Sequence, residues 1–354
     1  MFLDHFGLRK QPFGVTPDPH FLYFSPSHLE ALASLFYGIQ SQRGFLALIA
    51  KPGMGKTTLL FHLLERLRNS ARTAFLFQKH SNARDFLRSL LSDLGISDRD
   101  GELGPMHSKL NEFLVREAHA RRRVVVVVDE AQNLENPVLE AVRMLSNFEI
   151  PGMKLMQIVL AGQPQLADKL ADRNLDQLRQ RISILARLTQ FSTSETANYV
   201  IHRLRVAGYS GKPLFTAGAL AIIHARSEGI PRNINNLCFQ ALTIGFASNQ
   251  EVIDESVLNE VVDDLELNTL GSNSSTARQC SCDEPGQLLA QNRDVTYPKW
   301  TGHAAVSGIA DSRPKIRMEF NAQDDCRREK PSVEDRGHWS AEKWIGGKTH
   351  EQEC

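Results

Sequence analysis

Between residues 26 and 192 the chain alternates short apolar runs with longer amphipathic stretches. Five apolar runs have the length of a β-strand, and they cover residues 44–50, 73–77, 124–129, 155–161 and 182–191. Between them, apolar residues recur with the spacing of one helix face, as in the stretch LLFHLLERLR. Nearly continuous apolar strands that alternate with helices are typical of a parallel sheet covered on both faces. We therefore predict an α/β domain over residues 26–192, with a central parallel five-stranded sheet flanked by helices.

Several helix starts are marked by capping residues. Ser27 and Glu30 have the spacing of a capping box, and Asn136–Pro137 places a proline at the first helical position. From residue 193 to about 267 the strand-like runs cease and only helical periodicity remains. Further helix starts in this region are marked by Ser192 with Glu195, Thr216, Pro231 and Asp254–Glu255. We predict a small all-α lid domain over residues 193–267.

The two ends of the chain differ from the central part. Residues 1–25 contain repeated proline, which prevents a regular helix, and predict an irregular arm. In residues 268–354 aliphatic residues and phenylalanine fall to roughly one in nine, too few to support a core, which predicts a disordered tail. All the tryptophans of the chain, Trp300, Trp339 and Trp344, lie in this tail. A partner-binding segment is therefore the alternative interpretation of the tail.

Composition excludes some classes of function. Lys and Arg together number 41, and Asp and Glu together also number 41. The net charge is therefore zero and provides no overall attraction to nucleic acid or to a membrane. No apolar run approaches the roughly 18 residues of a membrane helix, and the N-terminus lacks the basic-then-apolar pattern of a secretory signal. The cysteines, Cys238, Cys280, Cys282, Cys326 and Cys354, do not have metal-ligand spacing. We expect a cytoplasmic protein with free thiols.

The segment AKPGMGKTT, residues 50–58, follows an apolar strand and precedes an amphipathic helix, which is the setting of a phosphate-binding loop. Ala50 replaces the first glycine of the G-x-x-x-x-G-K-[ST] pattern, at the strand end, where alanine is tolerated if its φ is negative. The predicted nucleotide-binding residues are Pro52, Gly53, Met54, Gly55, Lys56, Thr57 and Thr58. We expect Lys56 to contact the β- and γ-phosphates and Thr57 to bind Mg²⁺.

Acidic and polar residues follow two further strands. Asp129 ends the valine run, where it could hold Mg²⁺ together with Thr57, and the adjacent Glu130 could activate the attacking water. Gln163 follows strand 155–161 and could orient the same water, if that strand lies between the strands that carry the phosphate loop and Asp129. The alternative interpretations are a charged turn for the acidic pair and an ordinary turn residue for Gln163.

Arginines complete the candidate site. Arg179 and Arg181 precede the last strand, and either could reach the γ-phosphate of a neighbouring subunit, unless both are solvated surface residues. Arg173 is a weaker candidate for the same role. Arg232 follows Pro231 in the first turn of a predicted helix, where a positive charge opposes the helix dipole and calls for an anion. A bound γ-phosphate would supply that anion.

In this order, GKTT, VVVVVDEAQ, AGQPQL, LRQRI and GIPRNINNL resemble the AAA+ ATPases of the ExeA type, also described as general secretion pathway protein A. The opening FGLRKQPFGVTPDPHFLYFSP adds to the resemblance, which covers residues 1 to about 267. The resemblance implies a P-loop NTPase fold, ATP and Mg²⁺ as ligands, and ATP hydrolysis. It assigns Walker A to Lys56 and Thr57, Walker B to Asp129 and Glu130, sensor 1 to Gln163, the arginine finger to Arg179 or Arg181, and sensor 2 to Arg232.

The resemblance also carries expectations about partners. It implies that the arm lines the adenine pocket near Pro17, Asp18 and Tyr23. It implies a homo-oligomer, as a ring or formed with ATP, and a secretion or envelope assembly partner that could hold the protein at the inner membrane. Secretion-pathway members continue into a membrane span and a peptidoglycan-binding domain, and we recognise neither in this chain. Related ATPases accompany exosortase (PEP-CTERM) and polysaccharide-export systems, pilus biogenesis and TniB-type transposition.

An ATP-dependent DNA-binding adaptor is the alternative function. Basic residues of the helical region that could contact DNA are Arg203, Arg205, Lys212 and Arg226, although a solvated face is the simpler interpretation. A protein that binds nucleotide without hydrolysing it is disfavoured, because the Asp129–Glu130 pair is intact.

Overall fold

A computed structural model describes residues 2–77, 82–98 and 101–272, with side chains described as far as residue 264. The main sheet contains β1 (Phe45–Ile49), β2 (Ala71–Leu76), β3 (Arg123–Val128), β6 (Met156–Gly162) and β7 (Ile182–Arg187). These strands pair in parallel in the order β2-β3-β6-β1-β7. A separate antiparallel pair, β4 (Glu149–Ile150) and β5 (Met153–Lys154), precedes β6. The predicted five-stranded parallel sheet is confirmed.

The helices of the described residues lie on both faces of the sheet and in a separate helical region. They are α1 (Phe2–His5), α2 (Pro26–Gln40), α3 (Lys56–Leu67), α4 (Ala83–Asp93), α5 (Leu103–His119), α6 (Asn136–Leu145), α7 (Pro164–Leu170), α8 (Asp176–Arg181), α9 (Thr193–Val206), α10 (Ala217–Ser227), α11 (Pro231–Ala247) and α12 (Glu255–Ser272). Alternate valines of β3 point to opposite faces. Val124, Val126 and Val128 pack against α4 to α8, whereas Val125 and Val127 pack against α2 and α3.

A separate apolar core joins the N-terminal arm to the helical region. Phe6, Leu8, Phe13 and Phe21 are buried together with residues of α9 to α12. The backbone N–H groups of Arg9 and Lys10 donate to the carbonyl of Ala207, at distances of 2.8 and 3.2 Å. The first part of the arm therefore packs with the helices that follow the sheet, whereas Leu22 is buried with residues of β1, α2 and α3. The domain limits at residues 25, 192 and 267 stay predictions.

Helix starts match the sequence in part. The capping box of Ser192 with Glu195 and the cap at Thr216 are confirmed. The cap predicted at Ser27 is wrong, because α2 begins at Pro26 and Ser25 accepts the hydrogen bond from the backbone of His28. A residue that precedes proline disfavours helical dihedral angles, so it suits the cap position. Helix α6 begins at Asn136, one residue before the predicted start, and Pro137 is its second residue.

The last strand is shorter than predicted. β7 ends at Arg187, and the backbone N–H of the next residue, Leu188, donates to the carbonyl of Ile49, the last residue of β1. Its neighbour β1 continues into the phosphate loop, so the residues after Leu188 have no strand beside them to pair with. Among the described residues, no helix combines the length and the apolar character needed to cross a membrane. The predicted tail, with its tryptophans and four cysteines, lies outside the described residues apart from the end of α12.

Candidate nucleotide-binding and catalytic site

Three adjacent strands bring the predicted site residues to one edge of the sheet. β6 lies between β3 and β1, as the interpretation of Gln163 required. The carboxyl ends of parallel strands meet at the same edge, where ligands bind in open α/β sheets. The phosphate loop follows β1, Asp129 and Glu130 follow β3, and Gln163 follows β6. Residues that are far apart in sequence therefore face one cavity.

The loop before α3 has the backbone of an anion site. Gly53 and Gly55 have φ values of 78° and 84°, in the region that favours glycine. No side chain caps the N-terminus of α3, so its first N–H groups are available to an anion. Ala50 does not have a positive φ, and its N–H donates to the Gly162 carbonyl at 3.1 Å. An alanine therefore fits at the end of β1 without strain.

Lys56, Thr57 and Asp129 lie together at the base of this loop. Thr57 Oγ1 donates to Asp129 Oδ2 at 2.7 Å, and Lys56 Nζ donates to the Ala50 carbonyl at 3.2 Å. Burial raises the pKa of Asp129, against the hydrogen bonds from Thr57 and from the backbone of Glu130, which lower it. Burial lowers the pKa of Lys56, while Glu130 and Asp129 act to raise it. The buried carboxylate and the hydroxyl are hard oxygen donors that suit Mg²⁺.

These two oxygens alone do not make a complete metal site. Among the described residues, no cluster of three or more His, Cys, Asp or Glu side chains could hold a metal ion. Mg²⁺ in proteins is commonly bound through one or two side chains, with water and substrate phosphates as the other ligands. Thr57 and Asp129 fit that pattern, and bound Mg²⁺ would supply charge to the phosphates held by the loop.

Glu130 lies in a strained turn and is held by two amides. Its φ of 51° is in the left-handed region, which is uncommon for a residue other than glycine. Its Oε2 accepts from Gln163 Nε2 at 3.1 Å and from Gln132 Nε2 at 2.5 Å. Gln132 Oε1 also accepts from the backbone N–H of Gln163 at 3.2 Å. Gln132 thus connects the carboxylate to the turn after β6.

Two residues that contact Glu130 or the phosphate loop were missed by sequence reasoning. The first is Gln132, which reaches Glu130 because residues Ala131–Asn133 form a 3₁₀ turn. The second is His28, a buried residue whose Nε2 lies 3.1 Å from the Met54 carbonyl of the phosphate loop. Its Nδ1 lies 2.8 Å from Ser25 Oγ, so a neutral ring that donates from Nε2 satisfies both contacts. Burial lowers the pKa of His28, which favours this neutral form.

The helical region meets the phosphate loop at Arg232. The backbone N–H of Arg232 donates to the carbonyl of Gly53 at 3.1 Å, and a Cβ on Gly53 would lie 2.8 Å from the Arg232 Cβ. The positive charge of Arg232 also acts to lower the pKa of Lys56. A helix of the lid region therefore begins directly beside the residues expected to hold phosphate.

The arginines before β7 differ in their contacts. Arg181 Nη1 donates to the Arg143 carbonyl at 3.3 Å, to Asn147 Oδ1 at 2.8 Å and to Ser146 Oγ, all at the end of α6. Arg179 pairs only at the surface, with Asp176 at 2.9 Å, and 53% of its side chain is exposed. Both arginines precede the amino end of β7, at the sheet edge opposite the phosphate loop. Within this chain they are remote from the site.

One cavity of about 200 Å³ joins these elements. Its wall includes the phosphate loop, Glu130, Gln163 and Arg232, together with arm residues 14–18. The residues expected near the adenine, Pro17, Asp18 and Tyr23, also line it. Arg203, predicted as a DNA contact, lines the same cavity and is only 8% exposed, which removes it from the solvent face. That prediction was wrong because the arm packs over this part of α9.

Residues 39–170 match the protein family described as AAA domain. The matched segment contains the phosphate loop, Asp129, Glu130 and Gln163. The family match therefore covers the same residues that the structure brings together at the sheet edge. The predicted arginine finger positions and Arg232 lie beyond this matched segment.

Comparison with whole proteins extends the likeness past the AAA domain. General secretion pathway protein A from Aeromonas hydrophila is 39% identical over 254 residues, which are 72% of this chain and 46% of that protein. The chain therefore spans about half the length of this relative. The identity supports the predicted ExeA type. The relations to exosortase-associated and TniB-type ATPases stay predictions.

Solved structures resemble this protein in fold. The ORC2 protein of Aeropyrum pernix, solved as ADPNP–ADP complexes, has a TM-score of 0.55 at 14% identity, over 72% of this chain and 71% of that chain. Cdc6p from Pyrobaculum aerophilum has a TM-score of 0.53 at 15% identity, over 68% and 67% of the two chains. At these identities the likeness shows the fold alone. It confirms the predicted P-loop NTPase fold.

Proposed function

We propose that this AAA domain protein binds ATP with Mg²⁺ and hydrolyses its terminal phosphoanhydride. The observation that carries the proposal is the convergence of Lys56, Thr57, Glu130 and Gln163 on one cavity, with Asp129 hydrogen-bonded to Thr57 beside it. A cation, two oxygen ligands for a metal and a carboxylate beside a polar amide are the groups that phosphoryl transfer to water needs.

Each residue takes one role in this proposal. Lys56 and the N–H groups of the phosphate loop bind the β- and γ-phosphates, while Thr57 and Asp129 hold Mg²⁺. Glu130 accepts a proton from the attacking water, and Gln163 orients that water. Arg232 binds the γ-phosphate from the helical region and reports nucleotide state to it.

An arginine from a neighbouring subunit completes the site in this proposal. Arg179 is the better candidate, because Arg181 is fully engaged at the end of α6, whereas Arg179 is half exposed. Transition-state charge stabilised by an arginine supplied in trans accelerates hydrolysis by several orders of magnitude. The homo-oligomer that this requires, and the cytoplasmic location, stay predictions.

The test uses two substitutions with different expected failures. Lys56→Ala should abolish ATP binding, whereas Glu130→Gln should retain binding and stop turnover. Binding is measured by calorimetry with MgATP, and turnover by phosphate release. Equal rates of phosphate release in wild type and Glu130→Gln would refute the role of Glu130.

We further propose that ATP turnover powers or switches the assembly of a secretion, export or envelope apparatus. The support is the likeness to general secretion pathway protein A, over about half of that protein's length. The alternative, an ATP-dependent DNA-binding adaptor, is weakened because Arg203 is buried, although Arg205, Lys212 and Arg226 are exposed. A mobility-shift assay over a salt series, with and without ATP, distinguishes the two, since phosphate contacts give a steep salt dependence.

A further inference from the structure

Three buried polar residues of the helical region line the far end of the cavity, and phosphate chemistry does not explain them. Tyr199, Arg203 and Asn235 are 4%, 8% and 7% exposed, respectively. They come from two helices, α9 and α11, and all three face the cavity that contains the phosphate loop. A buried arginine is costly unless its donors find acceptors, so its partners indicate what it is for.

The partners of this group are neutral oxygens of the N-terminal arm. Arg203 Nε donates to the carbonyl of Pro12, and its Nη1 donates to Tyr199 Oη at 2.9 Å. Tyr199 Oη donates to Asn235 Oδ1 at 2.9 Å, and Asn235 Nδ2 donates to the carbonyl of Gly14 at 3.4 Å. Within the described part of the chain, Arg203 has no carboxylate within ion-pair distance. The network therefore ends on two backbone carbonyls of the arm.

Aromatic contacts reinforce the same attachment. The guanidinium of Arg203 lies 4.8 Å from the ring centre of Phe21 in the arm and 5.6 Å from that of Tyr199. A cation over aromatic rings is stabilised further when it is desolvated. Arg203 thus joins the arm to α9 through hydrogen bonds on one side and a ring contact on the other.

The segment held in this way is the wall of the cavity. Residues 14–18 line it, immediately after the anchors at Pro12 and Gly14. At the other end Asp18 accepts from the backbone of His20 at 2.9 Å and caps the turn Pro19–Phe21. The segment is therefore fixed at both ends. If the triphosphate occupies the phosphate loop, the part of the cavity lined by residues 14–18 is left for the nucleoside.

We propose that Arg203, Tyr199 and Asn235 are positioning residues for recognition of the nucleoside part of the nucleotide. They hold arm residues 12–18 against α9 and α11, so that base and ribose meet a formed wall. The phosphate loop binds the triphosphate through other residues and does not depend on them. This inference rests on the proposed nucleotide-binding function and adds the residues that make binding depend on the base and ribose.

The test separates the nucleoside from the phosphates by using two probes. Calorimetry measures the Kd of MgATP and of Mg-tripolyphosphate, which lacks base and ribose, for wild type and Arg203→Met. Methionine keeps the apolar stem and removes the donors. We expect the Kd of ATP to rise about tenfold or more, the effect of losing one hydrogen bond to a charged group. The Kd of tripolyphosphate should stay within about twofold of wild type.

A matched control and a milder variant complete the design. Arg205→Met removes an exposed arginine two positions along the same helix and should change neither Kd. Tyr199→Phe removes only the hydroxyl between Arg203 and Asn235, so it tests the network even if Arg203→Met does not fold. Tyr199→Phe should also weaken the binding of ATP and leave the binding of tripolyphosphate unchanged. Thermal melting of each variant reports whether it folds.

The outcomes separate this inference from the proposed function. Equal losses for ATP and tripolyphosphate in Arg203→Met and Tyr199→Phe would overturn the inference, because a general structural role would weaken both probes. Unchanged ATP affinity in both variants would overturn it too. If wild type bound neither probe, the proposed nucleotide-binding function itself would fail.

Discussion

Replacing Gln132 by alanine tests how the carboxylate of Glu130 is held. The side chain of Gln132 donates to Glu130 Oε2 at 2.5 Å and accepts from the backbone of Gln163 at 3.2 Å. Alanine removes both bonds at a turn where Glu130 already has a positive φ. The carboxylate would then be held by Gln163 alone, and its orientation toward a water would be less defined.

The expected magnitude follows from the hydrogen bond to a charged group. Such a bond contributes about 1.5 to 3 kcal/mol, and each 1.36 kcal/mol changes a rate tenfold. We therefore expect kcat of Gln132→Ala to fall about 10- to 100-fold. KM for ATP should change little, since Gln132 lies beside Glu130 and not in the phosphate loop. An interaction made mainly in the transition state lowers kcat and leaves ground-state binding unaffected.

The assay is steady-state phosphate release over a range of ATP concentrations. Gln165→Ala is the matched control, because this glutamine is exposed on α7 and should keep wild-type values. A raised KM with unchanged kcat in Gln132→Ala would refute the reasoning, as would wild-type values for both constants.

Four further predictions rest on individual contacts and backbone angles. Arg179→Ala should stop ATP turnover without loss of binding, and mixing with Lys56→Ala subunits, which retain Arg179, should restore phosphate release; failure to restore it would count against a role in trans. Arg181→Ala should instead lower the free energy of unfolding by about 1 to 3 kcal/mol in urea titrations. The pKa of His28 is lowered by burial, so the unfolded chain binds more protons than the folded protein below about pH 6.5. Stability should therefore fall from pH 7 to about pH 5, and His28→Gln should reduce that slope; an unchanged slope would contradict the assignment. Ala50→Gly should change turnover only mildly, since Ala50 has no positive φ, and a large gain in kcat would show an impaired loop.

Much of the fold could be predicted because its signals are local. The valine run of β3, the glycines of the phosphate loop and the cap at Ser192 each specify structure within a few residues. Parallel pairing then brings Asp129, Glu130 and Gln163 to one edge, so the main site follows from strand ends.

The rest depends on contacts between distant segments. Arg203 resembles a solvated helix arginine until the arm covers it, through a bond to Pro12 that lies 191 residues away in sequence. His28 contacts Met54, which is 26 residues away in sequence, and neither the spacing nor the residue types predict that contact. The cap at Ser25, by contrast, could be predicted from the local sequence, since the proline that follows favours a cap at this position.

Calorimetry with MgATP on the purified protein tests the central claim most directly. The account predicts measurable binding by wild type, saturating at one nucleotide per protein chain, and no binding by Lys56→Ala. Absence of heat in wild type, together with no increase in melting temperature at millimolar MgATP, would contradict it.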